Sequence, residues 1–188
     1  MRPVITYLTK SILILVMVFG MSIAQSSWAS EGNIDDTYKY AWSENAGWVN
    51  FRPTHGGVSV YASHLEGHAW GENIGWIKLG NDDGGPYFNS TAQNWGVNHD
   101  GFGNLSGYAW SETAGWIHFN TNDSQVTIDS EGGFEGYAWS ENIGWIHFKD
   151  ANPGYQVRAN FNPATEGYPD DDGFGCFISI LVGRLHER

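Results

Sequence analysis

One short unit occurs four times in this chain, and that repetition limits its fold more than any other feature. The copies are YKYAWSENAGWVNF (38–51), EGHAWGENIGWIKL (66–79), SGYAWSETAGWIHF (106–119) and EGYAWSENIGWIHF (135–148). Their opening tryptophans are Trp42, Trp70, Trp110 and Trp139, and eight of the ten Trp belong to the motifs. The long step between the second and third copies holds an insertion, NDDGGPYFNSTAQN (81–94). A unit this small cannot bury its apolar face alone, so successive copies must pack on one another. Gly-rich loops recur too often for a helix of useful length.

Alternation assigns strands within each copy. In LSGYAW (105–110), Leu105, Gly107 and Ala109 face one way and Ser106, Tyr108 and Trp110 the other. In GWIHF (115–119), Gly115, Ile117 and Phe119 oppose Trp116 and His118. A polar loop ending in Gly joins the two runs as a hairpin. With Thr113 at the turn, Trp110 faces Trp116, Ala109 faces Ile117 and Tyr108 faces His118. The same register pairs Trp42 with Trp48, Trp70 with Trp76 and Trp139 with Trp145. Each hairpin then has a small aliphatic face and an aromatic face.

A short strand precedes the later copies: GVSVYA (57–62), GVNHDG (96–101) and QVTIDS (125–130). The first copy has none, but QVRANF (156–161) follows the last. Twelve strands result, as four antiparallel three-stranded units. The expected fold is all-β and closed, propeller-like or barrel-like, with the C-terminal strand completing the first unit and removing open edges. The alternative is a linear β-solenoid or a sandwich, in which the last strand is a cap.

The copies resemble the repeats "V-x-I-D … F-x-G-Y-A-W-S-E-N-I-G-W-I-x-F" of a group of predicted secreted bacterial proteins, over about residues 33–160. The resemblance implies secretion and repeat architecture and assigns no catalytic residue. Lys39 departs from it, because the other copies have Gly67, Gly107 and Gly136; the first unit is expected to pack differently. The tail GCFISIL (175–181) is similar to a Gly-rich "C-F-I" box at the C-termini of some bacterial exported proteins. That similarity implies a sorting or processing signal at Cys176, against the plainer reading of a disordered tail.

The N-terminus agrees with export. Arg2 and Lys10 precede an uncharged run, Ser11 to Ala24. It is too short for a spanning helix, which needs about 20 residues, and small residues follow it, as in a signal peptide. Cleavage after Ala29 is preferred over Ala24. This divides the chain into a signal peptide (1–29), a Trp-rich β-repeat domain (30–162) and an acidic linker with a tail (163–188). The lone Cys176 cannot form an internal disulfide, so packing must supply stability. The expected location is secreted, periplasmic or cell-surface in a bacterium, and the processed protein is not expected to be an integral membrane protein.

Charge narrows the partners. Asp and Glu number 21 against 9 Lys and Arg, for a net charge of −12. That field repels phosphate and anionic lipid, so nucleic acid is not an expected partner.

The repeated polar residues are the candidate sites. Glu44, Glu72, Glu112 and Glu141 stand in the hairpin loops, beside Asn45, Asn73, Thr113 and Asn142. Carboxylate and amide beside an aromatic ring are what sugar recognition uses, the ring covering the apolar sugar face. The competing reading is that these groups bond the loop's own backbone. The motif tryptophans are read as core rather than platform, with Trp95, outside the motif, as the best exposed candidate. His118 and His147 are read as polar residues facing Tyr, since one His per hairpin makes no zinc set. Acid-Gly stretches at 81–85, 98–104 and 169–175 lack calcium-loop spacing. No cofactor is expected; a weak extracellular calcium site at 81–85 or 170–172 is the alternative, which the spacing does not support.

Four equivalent Glu argue against an enzyme, because catalysis needs groups whose environments differ. A secreted non-catalytic module for extracellular glycans is the expected function. The alternative is a structural or surface-assembly protein whose aromatic faces are packed.

Overall fold

A computed structural model describes residues 32–160. Both the signal peptide at 1–29 and the tail with Cys176 lie outside the described residues. In chain order the strands are β1 (Ile34–Ser43), β2 (Gly47–Asn50), β3 (Gly57–Val60), β4 (Leu65–Gly71), β5 (Gly75–Lys78), β6 (Val97–His99), β7 (Leu105–Ser111), β8 (Gly115–His118), β9 (Thr127–Ile128), β10 (Phe134–Glu135), β11 (Tyr137–Ser140), β12 (Gly144–His147), β13 (Lys149–Ala151) and β14 (Gly154–Ala159).

Each motif is the hairpin its alternation predicts. Trp42 faces Trp48, Trp70 faces Trp76, Trp110 faces Trp116 and Trp139 faces Trp145. The four hairpins then pair side by side: β2 with β4, β5 with β7, β8 with β11, and β12 back onto β1. The result is a closed antiparallel barrel of eight strands, not a solenoid or a sandwich.

The short strands lie outside this ring: β3 pairs with β4, β6 with β7, β9 with β10 and β14 with β1. One hydrogen bond repeats in all four units. The amides of Val58, Val97, Val126 and Val157 donate to the carbonyls of Phe51, Leu79, Phe119 and Phe148, at 3.0, 2.8, 2.9 and 3.1 Å. Val157 thus does in β14 what Val58 does in β3, and the C-terminal strand completes the first unit.

Fourteen strands replace the expected twelve for two local reasons. The fourth copy's first strand is divided at Gly136 into β10 and β11. The strand β13 is an addition that pairs with β14.

The glycines at this repeat position are required by contact. At Gly67, Gly107 and Gly136 a Cβ would lie 2.0, 2.3 and 2.1 Å from the carbonyl oxygens of Gly57, Gly96 and Gln125. The first unit, with Lys39 there, solves the approach differently. Ile34 lies opposite Ala159 and Lys39 opposite Val157, so β1 takes five steps against two in β14. Asp35 Oδ1 accepts from the amides of Thr37 (2.7 Å) and Tyr38 (2.9 Å), folding the surplus residues outward. Those two bonds hold the Asp35 carboxyl below its ordinary pKa.

An eight-stranded barrel is just wide enough to be filled by side chains. Ala41, Ala69, Ala109 and Ala138 share the middle with Val49, Ile77, Ile117 and Ile146, all buried. Ala46, Ile74, Ala114 and Ile143 close the end that carries the hairpin loops. At the other end Phe148 packs against Phe51, Phe119 and Phe134 at 5.4, 5.7 and 5.7 Å. Small residues on one strand lie opposite branched ones on the next, a pairing that suits this width.

Among the described residues no helix is long and apolar enough to cross a membrane. Strands β2, β5, β8 and β12 have four residues each, against roughly 9–11 in a transmembrane strand.

Candidate functional site

The motif tryptophans form the outer wall of the barrel, and this corrects the expectation that they are core. A lumen filled by Ala, Val and Ile has no room for an indole, so the period of two turns every Trp outward. Six of the eight are 36–43% exposed; Trp48 and Trp139 are half-buried. Each pair meets at a steep angle, with centroids 4.9, 5.0, 4.7 and 4.7 Å apart for Trp42–Trp48, Trp70–Trp76, Trp110–Trp116 and Trp139–Trp145. The first three are edge-to-face and the fourth is tilted at 58°; such aromatic pairs contribute about 0.5–1.5 kcal/mol beyond area burial. Pairing across the seams sets His118 opposite Trp139 and His147 opposite Trp42, so the aromatic belt runs around the whole ring.

Trp95 is the reverse case. It was the best exposed candidate by sequence, but it is half-buried, its ring edge-on to Trp116 at 5.1 Å. The 81–94 insertion folds over the belt and shelters it.

The loop residues divide by role. Asn45 Nδ2 donates to the Ile143 carbonyl (3.0 Å), Asn73 Nδ2 to the Asn45 carbonyl (3.2 Å) and Asn142 Nδ2 to the Ala114 carbonyl (3.2 Å). These amides therefore tie each loop to its neighbour at one end of the barrel. Thr113 is too short for that bond; at this seam Ser111 Oγ reaches the Ile74 carbonyl at 3.5 Å. By contrast Glu44, Glu72, Glu112 and Glu141 are exposed. Glu72 Oε2 accepts from the Trp48 amide across the first seam at 3.2 Å.

Among the described residues clefts open along the wall, three of them rich in aromatic side chains. The cleft between the second and third hairpins, about 490 Å³, is lined by Trp70, Trp76 and Trp110 with Lys78, Glu112 and Thr113. A second, about 450 Å³, lies under the insertion, with Trp95, Trp116, Tyr108, His118 and Thr91 on its walls. The largest, about 610 Å³, belongs to the first unit and includes Tyr38, Tyr40, Trp48, Glu72, Asp150 and Tyr155. In both the largest cleft and the inter-hairpin one, the second Trp of a hairpin stands beside the Glu of the next.

The 610 Å³ cleft has no counterpart among the sequence expectations. Its signals were the surplus DTY ahead of Lys39 and the NPG turn after the fourth copy, both unlike the other units. Here Tyr155 Oη lies 2.8 Å from His147 Nδ1, and burial pushes the tyrosine pKa up to about 12. Burial also lowers the His147 pKa, against a weaker upward pull from Asp150.

The repeated His residues face Tyr as read: Tyr108–His118 at 4.4 Å and Tyr137–His147 at 4.1 Å. The acidic turns are satisfied locally. Lys78 Nζ donates to Asp82 Oδ1 at 2.6 Å, and Asp100 Oδ1 accepts from the Phe102 and Asn104 amides. Among the described residues no group of three or more His, Cys, Asp or Glu is placed to hold a metal ion. The stretch 170–172 lies outside them.

These features define a closed barrel of hairpin repeats with an aromatic outer belt notched by clefts. Compared with known proteins, the chain matches no family model, no curated protein and no solved structure.

Proposed function

We propose that this protein is a secreted, non-catalytic binding module for extended extracellular glycans. One observation carries the reading: eight Trp are ordered around the outside of a closed barrel, with carboxylates at the cleft edges. A sugar ring lays its apolar face on an indole while its hydroxyls bond nearby carboxylates, and Trp76 beside Glu112 offers both. Placing the rings on strands and the carboxylates on short hairpin loops keeps them pre-organised. Each cleft would bind weakly, and a repetitive chain touching several would gain through multivalency. The charged and apolar leader at 1–29 and the resemblance of the repeats to secreted bacterial proteins support an extracellular setting.

The test is co-sedimentation of the intact chain with insoluble polysaccharides of differing linkage. Retention on one class, with loss in Trp76→Ala and Glu112→Gln, is the expected result. An aromatic belt this continuous also fits a subunit interface. No retention on any class, together with concentration-dependent assembly in sedimentation velocity, would favour that second reading.

A further inference from the structure

The first unit departs from the other three in two places, and both departures border the same cleft. The surplus residues of β1 bring Thr37 and Tyr38 to its rim, and the β13–β14 hairpin adds Asp150 and Tyr155. Three rings wall it at steep angles. Tyr40 and Trp48 lie 6.1 Å apart at 72°, and Trp48 and Tyr155 5.3 Å apart at 84°.

Two carboxylates and one lysine line these rings, and Arg158 stands at the rim. Glu72 and Asp150 line the cleft, and the one lining lysine, Lys149, is turned to Glu135 outside it. Glu72 is engaged by the Trp48 amide. Asp150 Oδ1 accepts from the Asn152 amide, and its other oxygen lies 3.7 Å from His147 Nδ1. A ring at this rim already carries a cation: the Arg158 guanidinium lies 4.9 Å over the Tyr38 centroid.

We propose that this cleft binds an alkylated ammonium ion of the trimethylammonium class, held by Tyr40, Trp48 and Tyr155 and by the field of Glu72 and Asp150. Ring faces attract a cation through their quadrupole, and roughly perpendicular walls present more than one face to it. The alkyl groups suit walls made largely of ring carbon. A bare ammonium needs a hydrogen-bond acceptor for every N–H and loses more hydration on entry. The net charge of −12 draws cations toward the protein from a distance. This inference goes beyond the glycan reading and does not rest on it, because Asp150 and Tyr155 lie outside the repeated motif.

The experiment titrates the full chain with choline and, separately, with its uncharged isostere 3,3-dimethylbutan-1-ol, following Trp fluorescence and calorimetry. Saturable choline binding is expected, with at least tenfold weaker binding of the isostere. Tyr155→Ala and Asp150→Asn should each weaken choline binding at least tenfold. Asp150 is exposed and Asn keeps the turn acceptor, so this variant remains informative if Tyr155→Ala does not fold. Phe102→Ala, at an exposed loop position outside this cleft, should bind choline as the parent does. No saturation at millimolar choline, equal binding of the isostere, or parent-like binding in Asp150→Asn would overturn the proposal. Glycan retention without choline binding refutes this inference alone, and choline binding without glycan retention refutes only the glycan reading.

Discussion

Trp48 and Glu72 belong to different hairpins and are joined by two hydrogen bonds. The Glu72 amide donates to the Trp48 carbonyl at 3.0 Å, and the Trp48 amide donates to Glu72 Oε2 at 3.2 Å. The motif Glu is thereby placed against the aromatic wall of the preceding unit rather than its own. The cleft that holds Trp48 and Glu72 is therefore a property of the seam between two copies, and neither hairpin forms it alone.

The seams also make the Asn residues structural. Asn45→Ala and Asn142→Ala are each expected to lower stability by about 1 kcal/mol, the usual worth of one such bond. For a body of this size that is roughly 3–5 °C in melting temperature. Thr113→Asn, which restores the missing amide at the third loop, is expected to raise it by a similar amount. Differential scanning calorimetry of the three variants checks the set, and destabilisation by Thr113→Asn would contradict the stapling account.

The repeat glycines make a sharper prediction. At Gly107 the φ of 85° and the Gly96 carbonyl, 2.3 Å from a Cβ position, both oppose any side chain. Gly107→Ala is expected to destabilise by about 3 kcal/mol. Lys39→Gly, at the equivalent site of the first unit, should change stability by only about 0.5–1 kcal/mol, the ordinary entropy loss of glycine in a strand. Urea denaturation of both variants separates required glycines from incidental ones.

Acid should weaken the fold through two histidines. Burial lowers the folded-state pKa of His68, helped by Lys78, and burial lowers that of His147. The unfolded chain therefore binds these protons more tightly than the folded one. The stability they contribute is complete above the ordinary value of about 6.5 and is lost as pH falls from there through the lowered folded values. Melting temperature should decline between pH 7 and 5, and the double variant His68→Gln, His147→Gln should show a shallower decline.

Hairpins, their register and the closing role of the last strand were legible in the sequence, because each depends on spacing alone. Period-two alternation sets which residues share a face, and an unmatched QVRANF implies a unit to complete. Spacing does not say which face is inside. Burial rank put the Trp in the core, yet the width of an eight-stranded ring admits only Ala, Val and Ile at those positions. Trp95 was misjudged for a related reason: an insertion can fold back over what it flanks. The first-unit cleft was hidden because it arises from departures from the repeat, the three extra residues folded by Asp35 and the hairpin that carries Tyr155. The Asn bonds are not legible in the sequence either, since they link loops of different hairpins that become neighbours only when the hairpins pair side by side.

The most direct test of the outward aromatic belt as a glycan platform is intrinsic Trp fluorescence of the intact chain titrated with a panel of soluble polysaccharides. The account predicts a saturable change in emission for one glycan class, reduced in Trp76→Ala and Glu112→Gln. Emission unchanged across the whole panel, in protein shown by circular dichroism to be folded, would contradict it.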